Sequence, residues 1–451
     1  MKKIALVAVF VALLAAPAFA EVQNIKLSGS LNLIGLQRND FDLGLNSGID
    51  EDQNVAITQT ILSVNADLTD QVSATIGLLN ERAWGVEDST NMGLDVYLAY
   101  ITLREFLYSP LTIVAGKQSF HYGNSFIVDS AGTNNSAPSS SGLAAVAGDL
   151  TAQTTQDAIR AILDYDPLVL EFLWSKINEG NATFATTSTV NDDDTDLYGA
   201  NATYNFGDER NTQVEAYFFG QINGEDPLPP VLKDDDKLYV SGIRGSINVI
   251  DELNIQAELA HQFGDDAVSA TSTLDYNGWG AEVIATYALP GDSMGLEGKN
   301  PTLQYVYSFT SGDDNSTDGD NDAWQPFYEN QGSGTIYNAI FNLSNAHIHA
   351  VSLSSTPMED VMAKLTWTGL WLDEKVSALT LVQPDGTDTS ALSINTNKRA
   401  LGHEVDLDVV YDYTEDVKIG ASLGWFFPGN VFTSANDDAA SQALVNAKVT
   451  F

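Results

Sequence analysis

Stretches of about ten residues in which apolar and polar side chains alternate recur along this chain, and no other pattern narrows its fold so far. In "LVLEFLWSK" (168–176), Leu168, Leu170, Phe172 and Trp174 take one face, with Glu171 and Ser175 on the other. In "GHEVDLDVVYDY" (402–413), His403, Val405, Leu407, Val409, Tyr411 and Tyr413 oppose Glu404, Asp406, Asp408 and Asp412. The same rhythm runs through "TQVEAYFFG" (212–220), "NIQAELAHQ" (254–262), "GWGAEVIATY" (278–287), "TLQYVYSFT" (302–310) and "VMAKLTWTG" (361–369). Successive side chains of an extended strand point to opposite sides, so each stretch is a strand with one apolar face. At this length a tilted strand crosses a bilayer. Beyond the N-terminal region the chain has no apolar run of about 18 residues, which excludes a membrane protein built on helices.

The connections between these stretches alternate in length. Short ones are "LTDQ" (68–71), "DP" (166–167), "GDERN" (207–211), "VIDE" (249–252), "PMED" (357–360) and "TED" (414–416), with 104–110 and 289–300 intermediate. Between them lie long polar loops at 121–156, 178–195, 222–237, 312–345, 373–401 and 428–442. Sandwiches mix loop lengths at both ends, whereas an outer-membrane barrel keeps short turns on the periplasmic rim and long loops outside. Strand starts fall near residues 25, 57, 72, 94, 111, 157, 168, 196, 212, 238, 253, 278, 301, 346, 361, 402, 417 and 443. The expectation is an all-β, up-and-down, antiparallel transmembrane barrel of about 18 strands, an even number as bacterial barrels require.

The two ends of the chain agree with that destination. "MKKIALVAVFVALLAAPAFA" has a basic start at Lys2 and Lys3, an apolar run too short to span a bilayer, and a small-x-small site at Ala18-Phe19-Ala20. It reads as a signal peptide, residues 1–20, cleaved after Ala20, with 21–451 forming one barrel domain in the outer membrane of a Gram-negative bacterium. The chain has no Cys, which excludes a lipid anchor at that site and any disulfide framework. At the other end, "ALVNAKVTF" (443–451) places Phe451, Val449, Ala447, Val445 and Ala443 on one side. Pairing of this strand with "NIKLSGSLNL" (24–33) would leave no sheet edge unpaired in lipid. Phe451, Val449 and Ala447 are accordingly read as the barrel-assembly signal shown to the outer-membrane insertion machinery.

Three stretches carry a family resemblance: "AGKQSFHYGN" (115–124), "SGDDNSTDGDNDAWQPFYENQ" (311–331) and, most specifically, "LGHEVDLDVVYDYTEDVKIGASLGWFFPGN" (401–430). They resemble the alginate-export family of outer-membrane porins. The resemblance implies an 18-stranded barrel, a monomer in outer-membrane lipid, whose relatives include exporters of an acidic polysaccharide through a lumen rich in Arg and Lys.

This chain departs from such a lumen. It has 61 Asp and Glu against 20 Lys and Arg, a formal net charge of −41, which also excludes a nucleic-acid partner. With the apolar faces outward, Lys26, Arg160, Arg244, Lys364, Lys418 and Lys448 point inward, and Arg160, Arg244 and Lys364 fall near strand middles as pore-lining bases. Arg82 and Lys117 are ambiguous, since a bulge would reverse their face. On the inward parity stand more acids: Asp67, Asp95, Asp164, Glu171, Glu215, Glu258, Glu282, Glu404, Asp406, Asp408 and Asp412. A wall with surplus carboxylate favours cations and repels polyanions. The function expected is a porin for hydrophilic solutes, by diffusion or export, with a net acidic lumen. The competing reading is a surface receptor or adhesin, a closed barrel acting through its acidic loops.

Those loops include "NDDDTD" (191–196), "KDDDK" (233–237) and "GDDNSTDGDND" (312–322). In the last, Asp314, Asp318, Asp320 and Asp322 form a weak Ca²⁺ candidate without the bidentate Glu of an EF-hand loop. No other cofactor is expected. The loop at 121–156 is long enough to fold inward and narrow a pore. Among His121, His261, His347, His349 and His403 there is no metalloprotease spacing, and the chain has no Gly-x-Ser-x-Gly elbow, so no enzyme is expected.

Overall fold

The computed structural model describes residues 24–45, 52–86, 93–130, 142–179, 194–224, 235–269, 272–315, 317–330, 334–384, 389 and 391–451. The signal segment, residues 191–193 of "NDDDTD", 233–234 of "KDDDK" and 136–141 of "SAPSSSG" (136–142) lie outside them.

In chain order the strands begin with β1 (Asn24–Asn39), β2 (Gln53–Asp67), β3 (Val72–Ala83), β4 (Leu94–Leu103), β5 (Leu111–Gln118), β6 (Gln156–Asp164) and β7 (Leu168–Asn178). There follow β8 (Thr195–Asn205), β9 (Gln213–Asn223), β10 (Asp236–Ile250), β11 (Leu253–Ser269), β12 (Ser272–Tyr276), β13 (Trp279–Ala288) and β14 (Thr302–Thr310). The last are β15 (Asp320–Asn321), β16 (Ala346–Met358), β17 (Val361–Leu372), β18 (Ala400–Thr414), β19 (Val417–Pro428) and β20 (Ala440–Thr450). Eighteen of them close an antiparallel barrel, while β12 pairs antiparallel with the last residues of β11 and in parallel with β15.

Closure is made by β1, which pairs with β2 from Asn24↔Asp67 to Arg38↔Gln53 and with β20 from Ser30↔Thr450 to Asn39↔Ser441. Each strand of the barrel then has a neighbour on either side, the condition for crossing hydrocarbon. The amides of Gly29 and Phe451 exchange two further bonds, 2.8 and 3.0 Å, at the seam. Short turns and long loops alternate around the ring as the sequence predicts, and the strand starts agree to within a few residues.

Side-chain direction follows the alternation. Phe172 and Trp174 are 50% and 40% exposed on the outer surface, whereas Glu171 and Ser175 behind them are 9% and 0% exposed. Ile25, Leu27, Phe218, Leu259, Leu365 and Val445 likewise face out. Register fixes the two ambiguous bases. Arg82 lies opposite Thr58, whose hydroxyl binds the exposed Trp84, while Glu81 beside it turns inward and is buried; Arg82 therefore points out. Lys117 pairs with Asp157, which is exposed next to the outward Ile159, so Lys117 points out as well. The register runs without a bulge through Gly116 beside it, which has φ +121° and sits against the Ala99 carbonyl, a conformation and a clearance that only glycine offers.

The apolar core sits inside the extracellular part of the bore, where loops meet the wall. Phe120, Tyr122, Phe126, Ile127 and Val128 from the β5–β6 connection join Trp324, Phe327, Tyr328, Ile336, Tyr337 and Ile340 from the β14–β16 connection. The wall answers with inward apolar residues such as Leu173, Leu197, Phe219, Val240, Ile348 and Leu370.

Candidate channel constriction

The two inward loops cross-brace each other. Val128 and Tyr328 form a parallel bridge, supported by bonds from the Asp129 amide to the Tyr328 carbonyl (2.7 Å) and from the Asn330 amide to the Ser125 carbonyl (2.9 Å). The first loop is the one whose length admits inward folding; its described parts, 121–130 and 142–155, do fold inward.

Several inward carboxylates predicted from the sequence are what hold these loops. Glu171 accepts the hydroxyl of Tyr122 and is gripped by Arg160 through Nε (2.6 Å) and a terminal nitrogen (3.0 Å). The Arg160 guanidinium also stacks 5.6 Å from the Phe120 ring. Arg244 reaches Glu215 (3.4 Å), Gln256 (2.6 Å) and Asn124 Oδ1 (2.9 Å), and Asn124 Nδ2 in turn donates to Glu282 (3.4 Å). Glu258 accepts from Tyr217 (2.6 Å). One loop asparagine thereby ties the β10 base to the β13 acid. Glu404 accepts the backbone amides of Thr335 (2.6 Å), Ile336 (2.8 Å) and Tyr337 (2.6 Å), and Asp406 accepts the Thr335 hydroxyl (2.9 Å). Charge-assisted bonds of this kind are the stronger ones, and in a low-dielectric interior a lost partner is costly.

Two inward residues outside the sequence-derived set do the same for the 142–155 segment. Arg38, 2% exposed, pairs with Asp149 and donates to Gln442 (2.7 Å). Glu81 accepts from the Thr151 hydroxyl (2.6 Å) and the Ala152 amide (2.8 Å).

Lys364 and Asp408 behave differently. They face each other across β17 and β18, both half-buried, yet Lys364 forms no hydrogen bond or ion pair with any described residue. It lines a groove of about 230 Å³ in the bore, bounded by Asn124 and Asn330 of the loops and by Glu282, Gln304, Ser352 and Thr366 of the wall. Toward the periplasmic rim, Lys418 pairs with Asp412 (3.0 Å), and Lys448 lies opposite Lys418. Lys26, Asp67 and Asp164 are also near that rim, at the turn ends of their strands.

A family profile described as alginate export matches residues 27–446. The chain belongs to that family. None of the curated proteins matches this sequence. Among solved structures, this alginate-export barrel is similar to OpdQ of Pseudomonas aeruginosa, with TM-score 0.56 at 10% identity over 96% of this chain and 99% of that one. OccK2 (OpdF) of the same organism, solved in complex with glucuronate, gives 0.55 at 12% over 95% and 99%. OpdK of P. aeruginosa, solved with vanillate, gives 0.54 at 12% over 94% and 98%. At these identities the likeness concerns the fold. Fold and family together make the alginate-export barrel an outer-membrane, porin-like channel protein rather than an enzyme.

The histidines agree with that. His347 and His349 face out beside Tyr307 and Tyr305, each accepting or donating a 2.8 Å bond, and His403 stacks on Phe427 with centroids 5.2 Å apart. These pairs belong to the aromatic band of the outer wall. Among the described acidic loop residues, the carboxylates that converge are Asp313, Asp314 and Asp322. Asp318, which accepts the Asp320 amide at 3.1 Å, and Asp320 are not in that cluster.

Proposed function

We propose that this alginate-export barrel is a passive pore for small hydrophilic solutes, with a wall that favours cations and neutral molecules over polyanions. The observation that carries the reading is the pair of pinned loops, which narrow the bore and border a groove of about 230 Å³ beside Asn124 and Asn330. A groove of that size takes one ring-sized solute at a time. The charge reading rests on the inward acids outnumbering the inward bases, with Arg38, Arg160 and Arg244 already paired to Asp149, Glu171 and Glu215. A paired base presents no net positive charge to a passing polyanion. One chain supplies the whole wall, so a monomer suffices.

The test is conductance and reversal potential in planar bilayers under a KCl gradient. Steady current with potassium preferred over chloride is expected. A chloride-selective current would overturn the charge reading, and a folded barrel carrying no current would favour the receptor role instead.

A further inference from the structure

The geometry points to a binding site, within this pore, for a hydroxylated solute bearing a single negative charge, with Lys364 as its anchor. The inference rests on the pore reading above and assigns a ligand class to its groove.

Three observations carry it. First, Lys364 is the one strand-middle base of the predicted set that the described residues leave without a partner; Arg160 and Arg244 are both neutralised by glutamates. Asp408 lies opposite Lys364 on β18 but forms no ion pair with it, so the ammonium keeps its donors for an anionic ligand. Second, Thr366, two residues along β17 on the same face, is 2% exposed, and its hydroxyl has no hydrogen-bond partner although it lines the groove. A buried hydroxyl left unpaired in the free protein is a place where a ligand oxygen gains a bond at little cost. Third, register places Gln304, Ser352 and Thr366 in one row across β14, β16 and β17, and Val306 and Ala350 in the next. A polar row beside a small apolar one suits a ring with hydroxyls on its rim and C–H on its face.

The number of charges is set by the neighbours. Asp408 flanks Lys364 on β18, Asp406 flanks Thr366, and Glu282 closes the far end of the groove. One ligand carboxylate meets Lys364; a second meets these acids. The site therefore selects monoanions and rejects dianions and polymers of acidic sugars, although the current through the pore as a whole prefers cations.

Calorimetry on the detergent-folded barrel and current interruption in bilayers, with three probes of one ring size or chain length, test this together: galacturonate, galactose and the dianion galactarate. Galacturonate is expected to bind, with galactose and galactarate each weaker by about tenfold or more, the worth of one charge-assisted contact. Lys364→Met should abolish the preference for galacturonate over galactose, Lys364→Arg should keep it, and Thr366→Val should weaken galacturonate by a few-fold. Heat-modifiable mobility in electrophoresis checks that each variant is folded, and Lys364→Gln replaces Lys364→Met if the latter is not. Unchanged galacturonate binding in the folded Met or Gln variant, or equal binding of the dianion, overturns the site. Binding without any current would instead remove the pore reading and leave the site standing.

Discussion

At the residue scale, the buried carboxylates of the bore serve first as acceptors for loop donors, and their removal should loosen the constriction before it alters the wall. Glu404 is fully buried and accepts three consecutive backbone amides, at 2.6, 2.8 and 2.6 Å. Glu404→Ala strands those donors, at about 1–3 kcal/mol for each one left unsatisfied. Single-channel recordings should show larger, noisier conductance, while heat-modifiable mobility still reports a closed barrel; a quiet wild-type current would count against the anchor. Glu329, in the second inward loop, is 1% exposed; one carboxylate oxygen accepts the Phe327 amide at 2.8 Å and the other has no partner among the described residues. Burial pushes this acid from 4.5 up to about 8. The folded loop thus keeps a proton that the released loop gives up, so the packed loop is most stable below pH 4.5 and loses stability as pH rises from there to about 8. Current fluctuations should grow across that interval and level off above it. Glu329→Gln, which cannot ionise, should flatten the profile; an equally steep one in the variant would assign the titration elsewhere.

At the element scale, the seam between β1 and β20 depends on a close approach. A Cβ on Gly29 would lie 2.7 Å from the Ile61 carbonyl oxygen and 2.8 Å from the Phe451 ring. Gly29→Leu should therefore displace the terminal ring and lower the yield of closed barrel, as Phe451→Ala should by removing it; pulse-labelled assembly into membranes, scored by heat-modifiable mobility, measures both. Normal assembly of Gly29→Leu would mean that the seam tolerates an outward shift of Phe451. The strands themselves were legible because lipid outside and water inside impose opposite polarity on successive residues. That logic placed Glu171, Glu215, Arg244 and Lys364 on the inner face, where the register puts them. It failed for Arg38, which follows Ile34 and Leu36 on the inward side of "LIGLQRN" (33–39), all three buried. Packed loops replace water there, the inner face turns apolar, and the alternation fades. Legible in principle was the apolar content of "SFHYGNSFIV" (119–128): a solvated loop has no use for Phe120, Phe126, Ile127 and Val128, all of which are buried in the bore.

At the scale of the whole molecule, the balance between a wall rich in acids and the strand-middle Lys364, unpaired among the described residues, predicts how selectivity responds to salt. The formal charge of −41 is spread over loops, rim and bore, and its effect on a passing ion decays over the Debye length, about 10 Å at 0.1 M and 3 Å at 1 M. At 0.1 M the exposed loop acids and the rim add to the field inside the bore, so potassium preference should be strong. At 1 M the distant charges are screened, and the residual preference reports only groups lining the groove, where Lys364 opposes Glu282 and Asp408. The potassium-to-chloride permeability ratio should therefore fall toward one between these concentrations. In Lys364→Met, whose groove keeps only its acids, the ratio should stay clearly above one even at 1 M. A wild-type ratio independent of salt would place the selectivity in the groove alone, and a Met variant that follows wild type at both concentrations would show that Lys364 does not face the conducting path.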